Sequence, residues 1–372
     1  MRGVALSNCN VSAANPKIRL NRMTASRRGT ANPQNRKPRH NPESLEGRGN
    51  PISRDAHRLQ ALRAQLLAWY DANQRDLPWR ITKDVYAIWL SEIMLQQTRV
   101  AVVQAYYARF LKQFPTVAAL AGARLSSVLA AWSGLGYYRR ARALHAAARV
   151  LVKEHGGKFP RTVEELRELP GIGKYTAAAI ASIAFSEPAA VVDGNVERVI
   201  TRLFRRKSDT ACLWKHAGEL LEPTRPGDFN QAMMELGATV CVPRQPLCRA
   251  CPVHAWCATR GDLGEPVVER RKKANLRYCL STSNGSVFLV RRSANASLMA
   301  GMWELPQTQT AAAVGENRLK LRHSITVTDY SVEVISGKPP AGSPGRWVSV
   351  SRVATLPLTG LTRKIFRRAG II

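Results

Sequence analysis

Four of the seven cysteines of this chain lie in one short segment, CVPRQPLCRACPVHAWC, which spans residues 241–257. Their spacing is C-x6-C-x2-C-x5-C. Four thiolates this close together can bind one tetrahedral Zn²⁺ ion or one [4Fe–4S] cluster. Structural zinc usually has two close pairs of ligands, whereas only Cys248 and Cys251 form a close pair here. The spacing therefore favours the cluster and leaves zinc as the alternative.

We expect the cysteines of this chain to be free thiols or ligands rather than disulfides, because no secretory signal peptide is recognisable. The predicted ligands are Cys241, Cys248, Cys251 and Cys257. Of the other three, Cys9 is predicted to be an unstructured thiol, and Cys212 and Cys279 are predicted to be ordinary buried thiols.

The chain is strongly basic. Its 372 residues include 56 Lys and Arg against 26 Asp and Glu, a formal net charge of +30. Such an excess predicts a polyanionic partner, either nucleic acid or an anionic membrane surface. An uninterrupted apolar run long enough to cross a bilayer is missing from the sequence, so no membrane span is predicted. The composition therefore favours nucleic acid as the partner.

Part of this charge lies in an N-terminal segment, residues 1–54, which we predict to be a disordered basic tail. It is rich in Arg, Asn, Pro and Ser, and it has no apolar periodicity. Such a segment cannot bury enough surface to offset the entropy of ordering. It is either a solvated arm, the result of a start site placed too far upstream, or an organellar transit peptide. If the protein is bacterial, we expect it in the cytoplasm, associated with the nucleoid.

A helical pattern follows from about residue 55 to residue 240. Leu59, Leu62, Leu66 and Trp69 have the spacing of one helix face. Short loops such as RDLPWR and SGLGYYRR separate the apolar stretches. These features predict a mainly α-helical domain.

The segment FPRTVEELRELPGIGKYTAAAIASIAF predicts a hairpin of two helices. Thr162 and Glu165 form a capping box that starts the first helix, and Pro170 ends it. The second helix begins near Lys174. The free N–H groups of the turn and the helix N-terminus can bind a phosphate. The extended LPGIGKYTA motif in so basic a chain favours DNA binding over a simple tight turn.

Beyond residue 262 the pattern changes. Residues 263–274 read as a charged linker. The runs RYCLSTS and SVFLVRR flank an Asn284-Gly285 turn, and DYSVEVI and RWVSVS follow as further strands. The segment LTRKIFRR is predicted to close the chain as a short helix. A second, α+β domain is therefore predicted over residues 275–372.

The motifs LPGIGKYTA and VVDGNVERV and the cysteine segment resemble the endonuclease III superfamily of DNA glycosylases. LPWR, WLSEIMLQQTRV, WSGLGYYRRARALH and FNQAMMELGA narrow this resemblance to the MutY adenine DNA glycosylases, over residues 56–262. The resemblance implies a mainly α glycosylase core at residues 55–262, with a helix-hairpin-helix and an iron–sulfur loop, followed by a C-terminal α+β Nudix-like domain. It also implies that the four cysteines bind a [4Fe–4S] cluster with a mainly structural role.

The implied activity is base-excision repair. A member of this family hydrolyses the N-glycosidic bond of adenine paired with 8-oxoguanine or guanine in double-stranded DNA, and leaves an abasic site. We expect a monomer that does not engage membranes.

Two carboxyl groups match the chemistry that this reaction needs. Adenine is a poor leaving group, so an acid must protonate its ring, and a negative charge must stabilise the sugar cation. Glu92 lies among apolar neighbours, and burial there would raise its pKa. Taken alone, the residue pattern favours a solvated Glu92 on an exposed helix face. The resemblance makes Glu92 the acid, Asp193 the carboxylate next to the sugar and Asn195 a residue that organises water. Asp193 is also a favoured N-cap.

Tyr175 stands where an endonuclease III-like lyase carries the lysine that attacks the sugar. That lyase, acting on oxidised pyrimidines, is the alternative enzyme. Lys174 is one residue early, about 100° round a helix, and is expected to contact a phosphate instead. The sequence therefore predicts a monofunctional glycosylase, with Tyr175 either in a supporting role through its hydroxyl or as a packed aromatic. A non-enzymatic DNA-binding module would leave Glu92 and Asp193 unexplained.

The target adenine must leave the base stack before it can react. By resemblance, Gln97 and Tyr137 fill or wedge the stack, although Tyr137 could instead be a core aromatic. Further DNA contacts are expected from Arg80, Gly171, Gly173 and Lys174.

In the Nudix-like domain, the family reads 8-oxoguanine with a Phe-Ser-His loop. This chain has Ile325, Thr326 and Val327 there, so Thr326 is the expected contact and the discrimination is expected to differ. We recognise no Nudix catalytic box, so hydrolysis of nucleotides is not expected.

Overall fold

The computed structural model describes residues 56–205, 209–262, 271–309, 318–325 and 327–372. The first two ranges are almost entirely helical. Their helices are α1 (Ala56–Asn73), α2 (Val85–Leu95), α3 (Val100–Gln113), α4 (Val117–Gly122), α5 (Leu125–Trp132), α6 (Arg139–His155), α7 (Val163–Leu166), α8 (Lys174–Phe185), α9 (Gly194–Phe204), α10 (Thr210–Leu220) and α11 (Pro226–Thr239).

Two apolar clusters form the core of this helical domain, and α8 lies between them. Ala177, Ile180 and Ala181 face one cluster, which includes α2. Ala178 and Ala179 face the other, which includes α9 and α11. Because alanine side chains are short, α8 can be buried on both sides while its neighbours approach closely. This packing brings the ends of α2, α8 and α9 to one cleft.

The predicted helical hairpin is present. The capping box of Thr162 and Glu165 is confirmed, although α7 is a single turn that ends at Leu166, ahead of Pro170. After the turn, α8 begins at Lys174. Gly171 has a φ of +77°, and a Cβ atom there would lie 2.4 Å from the Cβ of Ala143. The turn therefore requires glycine at this position, both for its backbone conformation and for its close approach to α6.

The C-terminal domain is α+β, as predicted. Its three-stranded sheet has the order β1-β6-β5, with β1 parallel to β6 and β5 antiparallel to it. In the other sheet, β3 pairs with β2, β4 and β7. The strands and helices are β1 (Lys272–Leu280), β2 (Thr282–Ser283), β3 (Ser286–Arg291), β4 (Trp303–Glu304), β5 (Arg318–Ile325), β6 (Thr328–Ser336), β7 (Gly345–Ser349), α12 (Val350–Val353) and α13 (Gly360–Arg368).

Several details of this domain follow from the sequence. Asn284 and Gly285 both have positive φ, as the predicted hairpin turn requires. The closing helix is α13. The first strand begins at Lys272, three residues inside the predicted linker, and residues 263–270 lie outside the described part of the chain. The domain boundaries themselves stay predictions.

The two domains pack against each other. Met302 is fully buried and belongs to a cluster of the helical core. The guanidinium of Arg142 on α6 donates a hydrogen bond to the carbonyl of Ala300. The predicted tail, residues 1–54, lies outside the described residues. Within the ranges described, no helix is both long and apolar enough to cross a membrane.

Candidate active site and iron–sulfur loop

A cleft of about 700 Å³ opens between the two halves of the helical core. It gathers residues from the end of α2, the hairpin turn, the first turn of α8 and the first turn of α9. Nine of the predicted site residues line it, namely Arg80, Glu92, Gln97, Gly171, Gly173, Lys174, Tyr175, Asp193 and Asn195. Residues far apart in the chain thus converge on one cavity.

Glu92 is a buried acid of this cleft, as is Glu235. The exposed fraction of Glu92 is 5 %. The hydroxyl of Tyr175 donates a hydrogen bond to Glu92 Oε2 over 2.8 Å. Burial raises the pKa of Glu92 to about 7, against the lowering effects of the Tyr175 hydrogen bond and the charge of Arg80. The charge of Asp193 raises this pKa further. Glu92 can therefore hold a proton near neutral pH and release it to a bound base.

Asp193 caps the start of α9, as predicted. Its Oδ1 accepts hydrogen bonds from the backbone N–H of Asn195 and Val196, over 3.0 and 2.7 Å. Its Oδ2 accepts one from the side-chain amide of Asn195 over 3.0 Å. These three donors fix the orientation of the carboxylate at the edge of the cleft. Asn195 is thereby held against Asp193.

Arg80 forms a buried ion-pair network that sequence reasoning missed. Glu235 on α11 accepts hydrogen bonds from Arg80 over 2.7 Å and from Arg75 over 2.6 Å at each of two nitrogens. Although burial acts to raise the pKa of Glu235, these hydrogen bonds lower it to about 2. The available sequence signal was an acid inside the apolar run AMMELGA. Arg80 therefore lines the cleft while it shares the single charge of Glu235 with Arg75.

Lys174 opens α8, and its ammonium lies 4.0 Å from the centre of the Trp214 ring on α10. A cation over an aromatic face is attracted by the ring quadrupole. Trp214 is a second residue that sequence reasoning did not single out. Its contact holds the lysine amine at the rim of the cleft.

Gln97 and Tyr137 lie on two loops that one buried guanidinium joins. Both have positive φ, 54° and 48°. Tyr137 is 45 % exposed, so its interpretation as a core aromatic is wrong. Arg140 donates hydrogen bonds to the carbonyl of Gln96 over 2.6 Å and to that of Gly136 over 3.2 Å. Each acceptor immediately precedes one of the two residues, so Arg140 fixes both loops at once.

The four cysteines of the 241–257 loop line one small cavity of about 30 Å³. Two short 3₁₀ turns, Cys248–Ala250 and His254–Trp256, shape this loop. Within the described ranges, no three His, Cys, Asp or Glu side chains lie close enough together to hold one metal ion. In a [4Fe–4S] cluster each cysteine binds a different iron, so the four sulfurs surround a larger body than one zinc ion. Four cysteine thiolates around one cavity suit a [4Fe–4S] cluster, and zinc accepts the same donors.

Two arginines of α9 tie this loop to the cleft. Arg198 donates hydrogen bonds to Asn195 Oδ1 over 2.8 Å and to the carbonyl of Cys241 over 2.8 Å. Arg202 donates to the carbonyls of Val242 and Pro243. Neither arginine was predicted. The cysteine loop and the first turn of α9 therefore form one hydrogen-bonded unit.

A second large cavity, about 1010 Å³, lies in the C-terminal domain between the three-stranded sheet and α13. Glu333, the acid of its described lining, accepts a hydrogen bond from Arg277 over 2.7 Å. The basic residues that line it are Arg277, Lys320, Arg322, Lys364 and Arg368. This concave basic surface suits a phosphate backbone.

Comparisons with known proteins identify the family of this chain. Residues 90–223 match the model of the HhH-GPD superfamily base excision DNA repair protein. The chain is 36 % identical to the adenine DNA glycosylase of Rattus norvegicus, over 83 % of this chain and 78 % of the relative. The chain belongs to the adenine DNA glycosylase family. It is also 36 % identical to the Homo sapiens adenine DNA glycosylase, over 85 % of this chain and 75 % of the relative.

A solved structure is similar to the helical core of this chain. A thermostable thymine-DNA glycosylase aligns with a TM-score of 0.52 and 31 % identity. The alignment covers 55 % of this chain and 97 % of that chain. In this member of the adenine DNA glycosylase family, two of the predicted DNA-contact residues, Tyr137 and Thr326, are not part of the described cleft lining. Tyr137 is a described residue that does not line the cleft, and Thr326 lies outside the described residues. Cys212 and Cys279 are buried, as predicted.

Proposed function

We propose that this protein is a monofunctional DNA glycosylase that removes adenine paired with 8-oxoguanine or guanine from double-stranded DNA. The observation that carries the proposal is the pair of carboxyl groups in one cleft. Glu92 is buried with a pKa of about 7, and Asp193 is held by three hydrogen-bond donors. Glu92 can act as a proton donor while the hydrogen bonds to Asp193 keep the second carboxyl group fixed in orientation.

The proposed reaction begins when adenine leaves the stack and enters the cleft. Glu92 gives its proton to a ring nitrogen of adenine, and the electron pair of the N-glycosidic bond leaves with the base. The Asp193 carboxylate stabilises the positive charge that develops on the sugar. A water oriented by Asn195 then adds its oxygen to the sugar C1′, and its proton returns to Glu92. The products are free adenine and an abasic site.

The residues at the hairpin support a monofunctional reaction. Tyr175 has no amine, and its hydroxyl is engaged with Glu92. The amine of Lys174 lies over the Trp214 ring. A lyase needs an amine that attacks C1′ to form a Schiff base. We therefore expect borohydride to trap no covalent complex, and excision to leave uncut, alkali-labile strands. Efficient trapping that disappears in Lys174→Ala would favour the lyase alternative.

We propose double-stranded DNA as the partner. The turn glycines Gly171 and Gly173 and the amine of Lys174 would contact the phosphates. Gln97 and Tyr137 would fill or wedge the base stack. The net charge of +30 supports this partner. The opposite base would be read by the C-terminal domain, with Thr326 as the expected contact. We propose cytoplasmic action on the nucleoid in a bacterial cell, or organellar targeting through residues 1–54.

We also propose that Cys241, Cys248, Cys251 and Cys257 hold a [4Fe–4S] cluster. When bound, the cluster would supply a rigid centre to the loop rather than a step of the hydrolysis. The hydrogen bonds of Arg198 and Arg202 support this structural role, because they connect the loop to α9.

The decisive test is single-turnover excision on duplexes with adenine opposite 8-oxoguanine, guanine, thymine and cytosine. We expect excision opposite 8-oxoguanine and guanine, and its loss in Glu92→Gln with duplex binding kept. Glu154→Gln, an exposed residue of α6, is the matched control and should excise normally. Substantial turnover in Glu92→Gln would remove the acid from its role.

A further inference from the structure

The loop that presents Tyr137 has an unusual backbone. It runs over residues 133–138, from the end of α5 to the start of α6. Gly134, Gly136 and Tyr137 have φ values of +108°, +76° and +48°. Glycine tolerates this region, whereas tyrosine adopts it only when its surroundings enforce it. Something must therefore hold this loop in place.

Part of the support comes from the C-terminal domain. The hydroxyl of Ser133 donates a hydrogen bond to the carbonyl of Leu358 over 2.7 Å, and the hydroxyl of Tyr138 donates to the same carbonyl over 3.2 Å. The guanidinium of Arg363 donates to Ser133 Oγ over 3.1 Å. Ser133 and Leu358 are 2 % and 0 % exposed, so water does not compete with these bonds. Both ends of the loop are thus bound to the other domain.

The hydroxyl groups of Tyr138 and Tyr106 form hydrogen bonds with the backbone of the loop itself. Tyr138 also accepts a hydrogen bond from the backbone N–H of Gly134 over 3.2 Å. A Cβ atom on Gly134 would overlap the Tyr106 hydroxyl and lie 3.5 Å from the Arg363 side chain. Within the helical core, Tyr106 donates to the carbonyl of Ser133 over 2.9 Å. The loop is therefore packed between Tyr106 and Arg363.

The groups that hold the loop are fixed in the C-terminal domain. Leu358 precedes Thr359, whose side chain caps α13. Leu361, Ile365 and Phe366 of this helix are buried in the core of the domain. The Leu358 carbonyl and the Arg363 guanidinium consequently move with the domain as a body.

We propose that Arg363 and the Leu358 carbonyl are positioning groups for Tyr137, so that the C-terminal domain supports extrusion of adenine as well as reading the opposite base. This inference rests on the proposed function, in which Tyr137 wedges the stack. It implies that the domain affects excision whichever base stands opposite the adenine.

Arg363→Ala tests the proposal, with Arg367→Ala as the control on the same helix. Arg367 is exposed and carries the same charge. We expect Arg363→Ala to lower single-turnover excision by about two- to tenfold, the range for one lost hydrogen bond. The loss should be similar opposite 8-oxoguanine and guanine, and Arg367→Ala should stay close to the unchanged protein. A loss confined to the preference for 8-oxoguanine would overturn the proposal.

A double-mutant cycle separates positioning of Tyr137 from simple docking of the domain. In a Tyr137→Ala background, Arg363→Ala should have little further effect, because the group that it positions is gone. An equal effect in both backgrounds would show that Arg363 acts elsewhere. Ser133→Ala, which removes the hydroxyl at the centre of the contact, should behave as Arg363→Ala does.

Amide hydrogen exchange tests the contact without any reaction. The amides of residues 134–138 should exchange faster in Arg363→Ala than in Arg367→Ala. Unchanged exchange would overturn the positioning role. If the unaltered protein excises no adenine, the proposed function fails, yet the exchange result still decides whether the domain holds the loop.

Discussion

The hydrogen bond between Tyr175 and Glu92 sets the pH range of the proposed reaction. The Tyr175 hydroxyl donates to the carboxylate over 2.8 Å and so favours the ionised form of Glu92. Tyr175→Phe removes this donor and leaves the burial that raises the pKa to about 7. The pKa of Glu92 must therefore rise above that value. A net hydrogen bond of about 0.5–1.5 kcal/mol corresponds to about 0.4–1.1 pH units.

Because excision needs protonated Glu92, activity should fall as the pH rises through this pKa. In Tyr175→Phe the fall should occur about 0.4–1.1 pH units higher than in the unchanged protein. The assay is single-turnover excision between about pH 5.5 and 9, at saturating protein and fixed salt, because phosphate contacts make binding salt-dependent. Tyr86→Phe removes a buried hydroxyl bound to the Phe114 carbonyl and is the control. An unmoved or lowered midpoint would refute the reasoning.

Two further predictions concern buried charges. Glu235→Gln should lower the free energy of unfolding by about 3 kcal/mol, the lower end for a broken buried pair, because Arg75 is partly exposed; thermal denaturation measures this. Since the pKa of Glu235 is lowered from 4.5 to about 2, the loss of unfolding free energy in the variant should be complete above pH 4.5 and should shrink as the pH falls towards 2. A loss that stays the same at low pH would contradict the ion pair. Arg140→Lys should reduce single-turnover excision by about tenfold or more, because one ammonium cannot reach both loops. Arg139→Lys, at an exposed neighbouring position, is the control and should not reduce it. Equal excision rates in the two variants would show that Arg140 does not connect the two loops.

Local features of this chain could be predicted from sequence. The N-cap at Asp193, the capping box at Thr162 and the Asn284-Gly285 turn each depend on a few adjacent residues. The raised pKa of Glu92 was expected only through the family resemblance, because the local sequence alone favoured a solvated residue. In the fold almost all of α2 is buried, including Glu92.

Long-range polar contacts could not be predicted in this way. Glu235 and Arg80 are 155 positions apart, and nothing in either segment specifies the partner. The acceptors of Arg140 and Arg363 include backbone carbonyls and a serine hydroxyl, which carry no distinctive sequence pattern. The length of α7 was also missed, because the chain leaves the helix at Leu166 through tight turns. Such contacts appear only once tertiary packing sets the distances.

The small alanine side chains of α8 determine how closely the two halves of the helical core approach each other, and therefore the width of the cleft. Glu92 belongs to the half of the core on one side of α8, and Asp193 begins α9 on the other side. Ala177 and Ala181 face the first half, and Ala178 and Ala179 face the second. A bulkier side chain at any of these positions would act as a spacer that moves Glu92 away from Asp193. The gap between the two acids thus depends on four alanines that are not part of the cleft lining.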